Sequence, residues 1–138
     1  MQDPNALTKG IDHLGLTVAD LELSRRFFVD CLGWTVVGEN PAYPAVFVAD
    51  GLSRLTLWQV DAADGYTPFD RKKNIGLHHV ALKAPSEEAL GELFVRVSAW
   101  PGVVAEFAPQ PVGKGPRVHC MVREPGGVRV EFVYTPPT

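Results

Sequence analysis

One segment of this chain occurs twice. Ile11-Asp12-His13-Leu14-Gly15-Leu16-Thr17-Val18 lies over Leu77-His78-His79-Val80-Ala81-Leu82-Lys83-Ala84 at a constant shift of 66 residues, matching apolar, histidine and small positions. The same shift continues into the next element, where Asp20 to Phe28 falls over Ser86 to Phe94 and Phe28 meets Phe94. A repeat of this length constrains the fold to two copies of one supersecondary unit, each too small to bury its own apolar face.

Both copies predict a strand followed by a helix. Asp20 and Ser86 are capping residues, acids follow in the first turn where the helix dipole favours them, and large apolar residues recur at helical spacing. Leu90, Leu93, Phe94 and Val97 make the clearest stripe, which is read as core packing. Three strand-like runs follow each helix: Trp34 to Val37, Ala45 to Ala49 and Leu55 to Val60, then Val103 to Phe107, Arg117 to Arg123 and Val128 to Tyr134. A second register of 75 residues sets Arg54-Leu55-Thr56-Leu57 over Arg129-Val130-Glu131-Phe132, so the loops differ in length. The expected fold class is α+β, with two βαβββ modules forming a curved mixed sheet. Module one covers about 8–60, a polar, turn-rich linker 61–74, and module two about 75–135, within one domain of 138 residues.

Composition excludes several functions. The net charge is −3 and the basic residues are scattered, so no stripe suits a phosphate backbone and no nucleic-acid partner is expected. No apolar run approaches a membrane span, and Met1-Gln2-Asp3-Pro4-Asn5 lacks the pattern of a secretory signal, which predicts a cytoplasmic protein without a membrane partner. Cys31 and Cys120 lie in apolar stretches and are read as core residues.

Strand alternation places the chemistry. If Leu14, Leu16 and Val18 face the helices, then His13, Gly15 and Thr17 face away, and in the second copy His79 and Ala81 do the same. In the last strand Val130, Phe132 and Tyr134 share the core side, turning Glu131 and Arg129 to the other. By the same alternation His78 points away from His79 and is read as structural. A lone strand histidine is ordinarily solvated, and a Glu beside an Arg is ordinarily an exposed ion pair. Equivalent histidines in two copies of one unit, with a carboxylate on the strand closing the second, point instead to a metal triad of His13, His79 and Glu131. Two imidazoles and a carboxylate suit a borderline divalent ion and leave positions open for substrate or water.

These residues, with the closing run Glu124-Pro125-Gly126-Gly127-Val128-Arg129-Val130-Glu131-Phe132, resemble the vicinal-oxygen-chelate superfamily over nearly the whole chain. That superfamily contains lactoylglutathione lyase, methylmalonyl-CoA epimerase, fosfomycin-resistance proteins, extradiol ring-cleaving dioxygenases and the metal-free bleomycin-binding proteins. The resemblance implies a U-shaped sheet around a divalent metal, a small-molecule substrate chelated through vicinal oxygens, and often a homodimer.

It also ranks the reactions. The glyoxalase branch adds a fourth ligand, a Glu on the fourth strand of module one, where this chain has Thr56. Gln59 replaces it only if the strand slips in register. Two His and one Glu resemble the extradiol dioxygenases, which implies Fe(II), with Mn, Ni or Zn as other ions. Met121 stands where those enzymes carry a proton-donating Tyr. His119, on the same strand face, is the candidate acid or base, and Arg117, Met121, Thr56 and Trp58 are candidate substrate contacts. A ring-cleaving oxygenase therefore stands slightly ahead of an isomerase or lyase. The alternatives are a metal-free binding protein of the bleomycin-resistance kind and a fosfomycin-type transferase using Lys114, Arg117 and Arg129. The loop with Tyr66, Phe69, Asp70, Arg71, Lys72 and Lys73 could cover the site or join a dimer interface, and is read first as a solvated linker.

Overall fold

The computed structural model describes residues 3–138; Met1 and Gln2, part of the segment read above for a secretory signal, lie outside the described residues. Each half forms the expected module. The first runs β1 (Leu14–Val18), α1 (Leu21–Arg26) continuing into a π-helical turn (Phe27–Cys31), β2 (Thr35–Asn40), β3 (Ala45–Ala49) and β4 (Arg54–Gln59). The second runs β5 (Val80–Lys83), α2 (Glu87–Ser98), β6 (Val104–Pro111), β7 (Val118–Arg123) and β8 (Arg129–Tyr134). The strand orders are β1-β4-β3-β2 and β5-β8-β7-β6, the same topology twice. In both, the first strand pairs in parallel with the last and the remaining pairs are antiparallel.

Local chemistry sets these boundaries. Asp20 accepts from the Leu23 N–H at 3.0 Å and Ser86 from the Ala89 N–H at 3.0 Å, so both helices start at the expected caps. The π-helical turn after α1 leaves carbonyls of Asp30 and Cys31 without helical partners, and Arg96 of α2 donates to both, at 3.0 and 2.8 Å. Gly33 then closes the turn at φ 78°, a conformation glycine adopts without a side-chain clash. Gln59, on the helix side of β4, accepts from the Leu21 N–H at 2.8 Å and donates to the Ala19 carbonyl at 2.9 Å, so it anchors the start of α1.

The two modules share one core. Leu16, Val18, Phe27, Phe28, Val48 and Leu57 of the first pack in the same cluster as Leu90, Val97, Val122, Val130 and Phe132 of the second. Burying each such side chain contributes about 1.5–3 kcal/mol. Cys31 and Cys120 are buried and unpaired, and burial pushes the Cys120 thiol up to about 11, as expected of core residues rather than reactive ones. A polar latch joins the modules as well. Glu124, at the β7–β8 turn and nearly fully buried, accepts from the Ser24 hydroxyl of α1 and from the Val128 N–H at 3.1 Å, while the Ala19 N–H donates to the Gly126 carbonyl at 2.9 Å. No described helix is long and apolar enough to cross a membrane.

Candidate functional site

The face of each sheet turned away from the helices carries the candidate residues. In the second module, register sets Ala81 of β5, Glu131 of β8 and Met121 of β7 side by side, with His119 one step along β7. Glu131 is the focus of this face. Its Oε1 lies 3.3 Å from His79 Nε2, and its Oε2 takes the hydrogen bond of His119 Nδ1. The Phe107 ring packs against the His119 imidazole at 4.8 Å between centroids.

Hydrogen bonds around His79 favour one placement of its ring proton. Arg129 can only donate, and its Nη1 lies 3.2 Å from His78 Nδ1, so that nitrogen is an acceptor. His79 Nδ1 stands 2.8 Å from the same His78 nitrogen and must therefore be the N–H donor between them. Burial, and next the charge of Arg129, hold the His78 imidazole below its ordinary pKa, in keeping with this neutral acceptor role. A neutral His79 then presents the lone pair of Nε2 to a carboxylate oxygen. Two acceptors 3.3 Å apart call for a positive centre between them: either a second proton on His79 or a cation.

His78 thus departs from expectation. It does not turn away from His79, because β5 begins only at Val80, and alternation does not govern the residue two positions earlier. The same shortening leaves both candidate histidines just ahead of their strands, not inside them. Arg129 also differs from an exposed ion-pair partner: it is buried, and its guanidinium forms a two-pronged pair with Glu106 at 2.9 and 3.0 Å. Glu106 sits in a register shift of β6 between Ala105 and Phe107, and Arg129, its principal partner, holds its carboxyl below the usual carboxylate range.

His13 is not brought to Glu131 within this chain. Its side chain is half exposed and its Nδ1 pairs with Asp12 at 2.6 Å. Among the described residues no group of three or more His, Cys, Asp or Glu side chains is arranged to hold a metal ion. One chain therefore offers His79 and Glu131, with His119 behind them, as a partial donor set.

On the first module's corresponding face, Thr56 is buried and its hydroxyl accepts from the Trp58 indole N–H at 2.8 Å. Trp58 packs edge-on against Tyr43, 4.5 Å between centroids, and near Phe47 at 5.9 Å. These rings form an aromatic wall, and a methyl group at Gly15 would lie 3.1 Å from Thr56 Oγ1. Met121 is buried against Glu131, whereas Arg117 is exposed and donates to Thr135 Oγ1 at 3.2 Å. Sequence reasoning missed Glu106 and named Arg71 only as part of the linker loop. Nothing in the sequence marks the β6 shift that aims Glu106, and Arg71 lies in the linker beside a cavity rather than in open solvent.

Comparison with known proteins agrees with this architecture. A family model described as the glyoxalase/bleomycin resistance protein/dioxygenase superfamily matches residues 10–132. Similar solved structures include a glyoxylase/bleomycin resistance protein/dioxygenase domain from Frankia sp. EAN1pec, 21% identical with a TM-score of 0.76 over 94% of this chain and 93% of that one. A lactoylglutathione lyase from Agrobacterium tumefaciens is 23% identical with a TM-score of 0.69, over 94% and 96%. A genomically encoded fosfomycin resistance protein from Listeria monocytogenes is 18% identical with a TM-score of 0.72, over 94% and 96%. At these identities the likeness carries the fold alone. No curated protein matches significantly. The family match spans most of the chain and the paired modules agree with it: the chain belongs to the glyoxalase/bleomycin resistance protein/dioxygenase superfamily.

Proposed function

We propose that the chain is a divalent-metal-dependent enzyme acting on a small molecule chelated through neighbouring oxygens, with His79 and Glu131 of one copy and His13 of a second copy as the protein ligands. The observation that carries this reading is the approach of two acceptors, His79 Nε2 and Glu131 Oε1, to 3.3 Å. His13, half exposed and paired only with Asp12, supports a site assembled between two chains of a homodimer. A divalent ion bound there supplies a Lewis acid with open positions for substrate oxygens.

The surrounding side chains have separable tasks. Arg129 and His78 fix the His79 tautomer, so that Nε2 faces the site. His119 holds Glu131 Oε2 and fixes the carboxylate's orientation, and beside the open face it is the group placed to take up or release a proton. The aromatic wall of Tyr43, Phe47 and Trp58 suits a flat, partly apolar substrate. Thr56, engaged by the Trp58 indole, favours three protein ligands over four, the arrangement that leans toward an oxygenase rather than an isomerase or lyase. Fe(II) is the first ion to test, followed by Mn, Ni and Zn.

A second reading, a metal-free small-molecule binding protein, is favoured by the incomplete donor set within one chain. Metal content separates the two. Protein purified without tag or chelator is expected to hold about one metal ion per chain, and the His79→Ala/Glu131→Ala variant almost none. A metal-free parent that Fe(II), Mn(II), Ni(II) and Zn(II) all fail to load contradicts the enzyme reading and leaves the binding protein.

A further inference from the structure

Two adjoining cavities lie away from the His79–Glu131 contact, and their linings differ in kind. The larger, about 520 Å³, is walled by the free edge of β1, by Val60, Leu77 and Val128, and by the linker aromatics Tyr66 and Phe69. Its surface is largely apolar. The smaller, about 330 Å³, is lined by Arg71, Arg123, Arg129, Glu106, Asp70 and Phe69. Phe69 and Arg123 line both, so an apolar chamber opens beside a cationic one.

The charges in the smaller cavity are unevenly satisfied. Glu106 spends both carboxylate oxygens on Arg129, at 2.9 and 3.0 Å, and only reaches Arg123 at 3.9 Å. Asp70 faces the same space, but its Oδ1 accepts from the Lys72 N–H at 2.9 Å and holds the linker turn. Arg71 has no ion-pair partner among the described residues, and Arg123 is half exposed. Two guanidiniums are thus left facing a cavity with donors to spare. A guanidinium's fork of N–H groups matches a carboxylate or phosphate better than it matches water.

We propose that this pair of cavities binds a small anionic compound with an apolar body, its carboxylate or phosphate on Arg71 and Arg123 and its body beneath Tyr66 and Phe69. Neither His79 nor Glu131 lines either cavity; Arg129, which also holds His78, is shared with the surroundings of His79. The Arg129–Glu106 pair forms its floor, with both Glu106 oxygens hydrogen-bonded to Arg129 and only the longer 3.9 Å approach left to Arg123.

Calorimetric or NMR titration with three probes, in the presence of a chelator, tests this: 3-phenylpropionate, its neutral counterpart 3-phenylpropan-1-ol, and phenyl phosphate. The expected result is saturable binding of both anions at least about tenfold tighter than the alcohol, with the preference shrinking as salt is raised. In Arg71→Gln/Arg123→Gln the preference falls to near unity while the alcohol binds as before, and Phe69→Ala weakens all three probes. Tighter binding of the phosphate than of the carboxylate, or the reverse, identifies which anion the arginines suit. Equal binding of anion and alcohol by the parent, a preference that survives in the double variant, or no saturable binding of either anion overturns the proposal. Because metal is excluded throughout, a failure here is distinct from a failure of the metal reading.

Discussion

A methyl group at Gly126 would lie 2.1 Å from Ser24 Oγ and 2.7 Å from Val18 Cβ, in the place where the β7–β8 turn meets α1. Gly126→Ala is therefore expected to destabilise the chain by about 3 kcal/mol or more, read from the denaturant midpoint at unchanged slope. Glu124, its neighbour, has its carboxyl pushed above the ordinary value by burial, against the opposing pull of the Ser24 and backbone hydrogen bonds. The folded chain thus holds that proton more tightly than the unfolded one, so the group's contribution is complete below its unfolded pKa and is lost as pH rises through the folded value. Parent protein is expected to lose stability relative to Glu124→Gln as pH goes from about 4 to about 7; a difference that stays flat or grows would contradict this. Alternation in β7 and β8 put Glu131 and His119 on one face as expected, whereas His79 was marked by the repeat alone, since it lies just ahead of β5. Sequence reasoning misplaced His78 because alternation fails outside a strand, and it left the Glu124 latch unread because Ser24 lies 100 positions away.

At the scale of elements, the register shift in β6 decides what happens to Arg129. A regular strand would give Glu106 no special aim; the shift turns its carboxylate onto a buried guanidinium. Glu106→Ala is expected to cost about 3 kcal/mol, measured by chemical denaturation, because it leaves Arg129 charged, buried and without its carboxylate. The Arg129→Met/Glu106→Leu double variant should recover much of that loss, since an apolar pair does not leave a stranded charge. Recovery of stability with a loosened His79 would show that Arg129 is present to position the histidines rather than to stabilise the sheet. Element order, caps and helix faces were legible from the repeat and from Asp20 and Ser86. The π-helical turn after α1 and the extension of β6 to Pro111 were not, because both depend on tertiary partners, Arg96 in the first case and β7 in the second.

Across the whole molecule, two four-stranded sheets share one core on their helix side, while the faces opposite carry the His79–Glu131–His119 cluster and an aromatic wall. The repeat predicted two halves closing one structure, and the shared core and the Ser24–Glu124 latch agree. What the repeat could not give is whether the two candidate histidines meet in one chain, since the angle between modules is set by packing between them and not by spacing within them. A site shared between copies makes a specific prediction. On the proposal, His13→Ala and Glu131→Ala chains each lose a ligand from every site of their homodimers; the two variants are unfolded together and refolded as a mixture. Every mixed dimer then contains one site with an intact His13, His79 and Glu131. The account predicts that the mixture regains metal, about one ion per mixed dimer, while either variant refolded alone regains none. A mixture as empty as its parents, although mixed dimers form, would contradict it.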